Sequence, residues 1–287
     1  MRIDLHTHSA VSDGTDSPAE LVAAAAAAGL AVVALTDHDT FDGLPEALAA
    51  GQRLGIEVVP GMELSCSRSG QSVHLLAYGA DPGDADLAAE MALVRDGRSS
   101  RLRPVLAKLA ELGVPVTEES VLSFVGGSPS VGRPHIADAL VAAGWVKDRK
   151  EAFDRFLADG GPAHVARYTI DVARGIDLVH DAGGVAVIAH PWGRGREHVL
   201  PAEVLEQLVA EHRLDGIEVD HQDHDEAARA GLRALVRRLG VLGTGSSDYH
   251  GTGKIDHDLG VNTTDPETYA ALRDLMAQRD LMTQRVT

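Results

Sequence analysis

The chain is short of cysteine, of aromatic residues and of positive charge. Its single cysteine, Cys66, excludes a disulfide framework and a cysteine-rich zinc module. As a small residue after a strand, it needs no chemical role. Only 3% of residues are aromatic, so the interior has to be built from Ala, Val and Leu, which suits helices packed on a Val/Ile/Leu sheet. A net charge of −17 argues against a broad phosphate-tracking surface of the kind that grips duplex nucleic acid. A local positive site remains compatible with that balance, because bound metal ions invert the local potential. Long apolar runs are absent too. The stretch Ala23 to Ala28 is too short to span a bilayer and no basic-then-apolar leader opens the chain, so it reads as soluble and cytoplasmic, without a membrane partner.

What the chain does have is histidine placed at strand ends. The first fourteen residues, MRIDLHTHSAVSDG, begin with a short strand over Arg2 to Leu5. Strand alternation turns Asp4, His6 and His8 to one side, and Asp13 arrives from the following loop. An isolated His-x-His is commonly an accident. Here, every later apolar strand but one also delivers an imidazole or carboxylate at or near an end: Asp37 and His38, Glu63, His74, His190, then Asp248 and His250.

At 287 residues and 44% hydrophobic, the chain can bury one large core or two modest ones. Ser17-Pro18-Ala19-Glu20 is a capping box opening a helix that ends at Gly29. Strands are predicted at 31–35, 56–59 and 73–78, with a helix over 44–54. From about Asp84 to Ala166 the pattern is mostly helical, over 87–112, 118–124, 133–143 and 149–157. Helix and strand then alternate again: helix 171–182, strand 185–189, helix 201–211, strand 216–219, helix 226–239, strand 241–244 and a last helix over 266–278. Seven strands, nearly all separated by helices, imply a parallel sheet closed or nearly closed into a barrel. The predicted organisation is a barrel domain of residues 1–83 and 167–287, interrupted by a helical insertion over 84–166 that lies across its mouth.

Imidazoles and carboxylates without thiolate suit divalent Mn, Fe or Zn. Nine candidate ligands exceed the needs of one ion, and two or three ions fit the inventory. The motifs His6-Thr7-His8 with Ser12-Asp13-Gly14, Thr36-Asp37-His38, Gly61-Met62-Glu63, Ala189-His190-Pro191 and Ser247-Asp248-Tyr249-His250 together resemble the PHP (polymerase and histidinol phosphatase) superfamily. The resemblance covers about residues 1–78 and 183–261. Within it, the helical insertion and its segment Val131-Gly132-Arg133-Pro134-His135-Ile136-Ala137 are similar to the branch of RNase AM and the 3′,5′-nucleoside bisphosphate phosphatases.

That resemblance implies a distorted (β/α)7 barrel and three ligand sets. One ion takes His6, His8, Glu63 and Asp248, and a second takes Asp13, His38 and His250. A third shares Glu63 and uses His74 and His190. It also implies that Arg133 grips phosphate through its planar fork while His135 donates a hydrogen bond or protonates the leaving oxygen. The plain alternative for Arg133 is a surface residue at a helix start. Asp4 and Asp37 are expected to orient ligating imidazoles, and Asp39 and Asp42 to cap the next helix. His180, His198 and His212 are expected in solvent. His164, His221, His224 and His257 stay open, as do Arg194, Arg196 and Lys254 as contacts for a second phosphate.

The implied function is hydrolysis of phosphate esters by a metal-activated hydroxide. The expected substrate is a 3′,5′-bisphosphorylated nucleotide or the 5′ end of short single-stranded RNA, and not duplex nucleic acid. A histidinol-phosphate-type phosphomonoesterase and a non-catalytic PHP module are the alternatives, and the oligomeric state is open.

Overall fold

The computed structural model describes residues 1–283 and is a mixed α/β barrel. Its strands are β1 (Ile3–Asp4), β2 (Val32–Leu35), β3 (Glu57–Arg68), β4 (Gln71–Tyr78), β5 (Ile170–Asp171), β6 (Val185–Ile188), β7 (Gly216–Asp220) and β8 (Leu242–Gly245). The sheet runs β1-β2-β3-β4-β6-β7-β8, with the two-residue β5 paired to β3 off that path. The ring comes back on itself where Thr7 pairs with Tyr249 beyond β1 and β8, and His8 N–H donates to the Tyr249 carbonyl at 2.8 Å. The expected seven barrel strands are therefore present, as a nearly closed ring.

The sheet is not wholly parallel. β3 runs through Pro60-Gly61 to Arg68 and pairs antiparallel with β4, which is antiparallel to β6 as well. Ending the strand at Val59 overlooked what Pro60 does. It sits where β3 leaves its parallel partner β2 and takes up β4, so its missing N–H breaks no continuous ladder. The reversal also explains His74. On an antiparallel strand the N-terminal half lies at the end where the parallel strands finish, so His74 reaches the same rim as Glu63 and His190.

Side chains from alternate strand positions fill two compartments. Ile3, Leu5, Val32, Ala34, Val59, Leu76, Tyr78, Val185 and Val187 fill one cluster, and the Tyr78 hydroxyl donates to the Leu5 carbonyl at 2.8 Å. Their neighbours along the same strands, such as Met62, Leu64, Leu75, Ala186 and Ile188, pack outward under helices. The α-helices of the chain are α1 (Pro18–Ala27), α2 (Leu44–Leu54), α3 (Ala85–Ser100), α4 (Leu102–Glu111), α5 (Glu118–Leu122), α6 (Arg133–Ala142), α7 (Arg149–Ala152), α8 (Val172–Asp181), α9 (Ala202–His212), α10 (Glu226–Leu239) and α11 (Pro266–Thr283). The capping box of α1 forms as expected. In α8, a Cβ added at Gly175 would come within 2.7 Å of Cys66 Sγ, so this glycine lets the helix lie directly on β3. Cys66 is buried in that packing.

The helix expected over 87–112 is two. Pro104 lacks an N–H and its ring opposes the carbonyl four residues back, so the chain breaks at Arg101 between α3 and α4. Leu87, Met91 and Val94 of α3 belong to the barrel's outer cluster, whereas Leu109, Val121, Ile136, Leu140 and Leu157 form a separate apolar cluster among α4 to α7 and the π-helical turn Phe153–Leu157 after α7. Among the described residues no helix is long and apolar enough to cross a membrane.

Leu76 is fully buried and faces Glu63 across the β3–β4 ladder. Leu76→Ala should lower unfolding free energy by about 2–5 kcal/mol, as large-to-small core substitutions do, read as a shift in the urea midpoint at constant m-value.

Candidate metal centre

Five imidazoles converge on one carboxylate. Glu63 is 1% exposed, and its Oε2 lies 3.1 Å from His6 Nε2, 3.0 Å from His8 Nε2 and 3.3 Å from His38 Nδ1. Its Oε1 lies 2.7 Å from His74 Nδ1 and 3.2 Å from His190 Nε2. Asp248 Oδ1 stands 3.6 Å from His6 Nε2, 3.5 Å from His8 Nε2 and 3.4 Å from His250 Nδ1. Asp13 reaches His250 Nε2 at 3.3 Å through Oδ1 and His38 Nε2 at 3.7 Å through Oδ2. All nine residues predicted as ligands therefore meet at one rim.

The donor set has the chemistry of a cation cage. The Nε2 atoms of His6 and His8 face each other at 3.0 Å, while His6 Nδ1 is engaged by Glu218 at 3.2 Å. His38 Nδ1 and His74 Nδ1 are buried without a well-formed hydrogen bond, although each is close to Glu63. Donors about 2.1 Å from a common ion are separated by roughly 3.0–3.4 Å, and the contacts here, from 2.7 to 3.7 Å, bracket that spacing. With one ligand atom from each residue and all within 4.8 Å of one another, His8, Asp13, His38 and His250 make one group, His6, His8 and Asp248 a second, and Glu63 serves two more, with His6 and His190 and with His38 and His74.

The chain is bent to deliver these groups. His190 and Asp248 have positive φ, 28° and 53°, a left-handed backbone that non-glycine residues avoid. His190 is also followed by Pro191, and it is held by its N–H donating to Glu218 at 2.8 Å. The Asp13 loop turns back so tightly that a Cβ on Gly14 would overlap the His8 carbonyl.

Electrostatics show how tightly these charges depend on one another. Burial opposes ionisation of Glu63, but His6, His38 and His74 hold it well below the usual carboxylate range. Burial likewise opposes a charge on His6, yet Glu63, Asp248 and Glu218 raise it well above the ordinary imidazole value. Burial dominates at His38, pushed down to about 3, and at His221, pushed down to about 4.

Some residues take positions other than those expected. Asp4 accepts from Ser247 N at 2.9 Å and Gly260 N at 2.8 Å, and Asp37 accepts from Ser9 N and Ser12 Oγ, each at 2.7 Å. Both tie down the loops that carry ligands and touch no imidazole. Asp39 caps no helix: it is buried, accepts from Ser65 N at 2.6 Å and pairs with Arg98 at 2.8 Å. Helix α2 starts at Gly43 without a side-chain cap from Asp42. His180 is paired to Asp215 at 2.9 Å, and His212 to Asp177 at 3.1 Å, while His198 is exposed.

Arg133 lines the 590 Å³ cavity above the carboxylates, with Nη1 on Asp159 at 2.7 Å and on the Leu157 carbonyl at 2.9 Å. His135 does not line it. Its Nδ1 accepts from Gly132 N–H at 3.0 Å, so its Nε2–H donates to the Ser12 carbonyl at 3.1 Å. Arg149 of α7 donates to the Asp13 carbonyl at 2.9 Å, so α6 and α7 both grip the Asp13 loop.

The residue that sequence reasoning missed is Glu218. It is buried on β7, and its carboxylate holds His6, the His190 N–H and Ser246 Oγ together. A glutamate inside the apolar strand Gly-Ile-Glu-Val-Asp was the available signal. Of the residues left open, His221 accepts from Asp223 N–H at 3.0 Å and directs its other nitrogen to Asp248 at 3.1 Å. His224 donates to the Val219 carbonyl at 2.8 Å and is structural, and His164 lies 3.9 Å from Asp159. His257 Nε2 is 3.8 Å from Asp223, and Lys254 pairs with Asp248. Arg194 pairs with Asp223 at 3.0 Å and Arg196 donates to the Ser72 carbonyl at 2.7 Å.

A PHP domain model matches residues 4–109. A 3′,5′-nucleoside bisphosphate phosphatase of Chromobacterium violaceum is 35% identical over 263 residues, covering 90% of each chain. The chain belongs to the PHP family. A 5′-3′ exoribonuclease of Haemophilus influenzae is 32% identical over 87% of this PHP chain and 90% of its own length. A solved Bifidobacterium adolescentis structure, described as a metal-dependent phosphoesterase, superposes with a TM-score of 0.90 at 36% identity, covering 95% of this chain and 96% of that one. The PHP assignment agrees with the ring of strands and with the histidine-rich rim built above.

The depressed imidazoles set an acid dependence for the metal-free protein. A histidine whose folded pKa is lowered binds fewer protons folded than unfolded, so stability falls as pH drops through the unfolded value near 6.5. His38 and His221 place that loss between about 6.5 and their folded values of about 3 and 4, with the raised His6 opposing it. The urea midpoint of chelated protein should drop between pH 7 and pH 4.5, and His38→Asn should flatten the drop.

Proposed function

We propose that this PHP chain is a metal-dependent phosphoesterase that removes phosphate from 3′,5′-bisphosphorylated nucleotides or trims short 5′-phosphorylated RNA. The observation carrying this reading is the 590 Å³ cavity, whose floor is the Glu63-centred donor set and whose walls carry Arg133, Arg194, Arg196 and Lys254. In a chain of net charge −17 such a concentration of cations beside ligand-type side chains fits a phosphorylated substrate.

The residues fit two or three divalent ions of the Mn, Fe or Zn class. His6, His8, Glu63 and Asp248 would hold one, Asp13, His38 and His250 with His8 a second, and Glu63 with His74 and His190 a third. When bound, such ions supply Lewis acidity toward phosphoryl oxygens and make hydroxide available near neutral pH. The protein's own groups do the positioning. Glu218 fixes the His6 ring, and His221 aligns Asp248. Arg133 keeps Nη2 and Nε for phosphate, because both of its hydrogen bonds run through Nη1. His135 and Arg149 act one step back, by setting the height of the Asp13 loop.

Residues 84–166 form a cap on this reading. The Glu63-centred floor lies beneath walls contributed by Arg133 and Asp159, which favours a mononucleotide or a single-stranded end over an internal bond of a stiff duplex.

Elemental analysis of purified enzyme should find between two and three transition ions per chain, lost with activity on chelation; an active enzyme with one ion would overturn the ligand assignment. Turnover should be seen with a 3′,5′-bisphosphonucleotide or a 5′-phosphorylated single-stranded oligomer and not with closed circular duplex. Nicking of the circle would refute the capped site.

A further inference from the structure

Helices α6 and α7 grip two ligand-bearing loops through one side chain. Arg149 opens α7, and two edges of its guanidinium are paired with Asp138 of α6, Nε to Oδ1 at 2.6 Å and Nη2 to Oδ2 at 2.7 Å. The remaining nitrogen, Nη1, donates to the Asp13 carbonyl at 2.9 Å. The same nitrogen lies against the loop that follows His250, where a Cβ on Gly253 would overlap the Arg149 guanidinium. Arg149 thus sits between two loops, one carrying Asp13 and the other His250. Those loops also meet directly: Thr252 N–H donates to Thr15 Oγ1 at 2.9 Å, and Asp13 Oδ1 is 3.3 Å from His250 Nε2.

The ligand sets differ in what supports them. Glu63 and His74 lie within β3 and β4, and Glu218 holds both the His6 ring and the His190 N–H. Asp248 is engaged by His221 and Lys254. Asp13, by contrast, lies in the loop between β1 and α1, and His250 lies in the loop beyond β8. Asp37 holds the first of these loops from the barrel side, accepting from Ser12 Oγ at 2.7 Å. The other holds come from the helical segment, His135 on the Ser12 carbonyl and Arg149 on the Asp13 carbonyl.

The pairing with Asp138 settles the sign of the interaction. A bare guanidinium beside ligand-type side chains would repel a cation bound among them. Burial opposes the Arg149 charge, whereas Asp138 and then Asp13 favour it, so the arginine stays ionised while the Asp138 carboxylate offsets its field. What reaches the Asp13 loop is a directed hydrogen bond with little net charge behind it.

We propose that Arg149, braced by Asp138, is a positioning residue for one ion of the centre, the one assigned to Asp13, His38 and His250, so that docking of α6 and α7 decides whether that ion is held. The inference rests on the metal-dependent phosphoesterase reading above and deepens it: two ligand sets belong to the barrel, and the third is completed by the helical segment. By linkage, occupancy of that set and docking of α6 and α7 favour each other by the same factor.

The test titrates Mn2+ into chelator-treated full-length wild type, Arg149→Met, Arg149→Lys and Gly253→Ala in a calorimeter, with elemental analysis of the metal retained after desalting. Wild type should hold two to three ions. In Arg149→Met one of them should bind roughly 10- to 100-fold more weakly, the loss that follows removal of a group supporting a ligand, with the others unchanged. Arg149→Lys should fall between, because an ammonium cannot hold a carboxylate by two edges and a carbonyl at once. Gly253→Ala, which displaces the guanidinium without altering it, should reproduce the defect, and it decides alone if Arg149→Met fails to fold. In hydrogen exchange, Mn2+ should raise the protection of α6 and α7 amides in wild type and leave it unchanged in Arg149→Met. Equal weakening of every ion, or unchanged binding in Arg149→Met, would make Arg149 a packing residue of the cap and overturn the proposal. A wild type that retains no ion overturns the metal reading and the proposal together. A wild type that binds its ions yet cleaves neither a bisphosphonucleotide nor a 5′-phosphorylated oligomer overturns only the substrate assignment, and the titrations still decide the role of Arg149.

Discussion

A single buried carboxylate governs the arrangement of this molecule. Glu63 can be ionised at the centre of the barrel mouth only because five imidazoles from β1's loop, β2's loop, β4 and β6's end close around it. Removing it from the middle of a long strand would leave five nitrogen donors without a common acceptor. The same requirement accounts for the positive φ of His190 and Asp248, since an ordinary strand exit would carry those side chains away from the cluster. Backbone strain there is held in place by Glu218 and His221, which are buried beneath the ligand-type residues.

Much of this was legible in the sequence, and for a physical reason. Parallel strands carry their chemistry at their C-terminal ends, so an apolar run followed by His or Asp is a readable unit. That logic found His6, His8, His38, His190, Asp248 and His250, and it yielded seven barrel strands. It could not place Glu63 in mid-strand or show that β4 runs backwards, because apolar content says nothing about direction. It also missed Glu218, whose significance comes from contacts with residues 212 and 28 positions away. Asp4 and Asp37 were correctly singled out as buried supporting groups but assigned to the wrong partners. Loop N–H groups and serine hydroxyls, which leave no pattern in sequence, took them instead.

The helical segment shows the same division. Its helices were visible from periodicity, while the consequence of Pro104 was not drawn from the sequence. That one missing N–H breaks a continuous helix, and Arg98 and Arg101 lie buried next to the break. His135 matched a motif and yet spends both ring nitrogens on backbone groups. A motif fixes residue identity and spacing, whereas the job done by an imidazole depends on what lies opposite each nitrogen.

The bridge between Thr7 and Tyr249 has a consequence for biosynthesis. The donors of the first motif wait, through more than two hundred intervening residues, for Asp248 and His250 to arrive beside them. A nascent chain therefore has an incomplete mouth until β8 and the loop that follows it have left the ribosome.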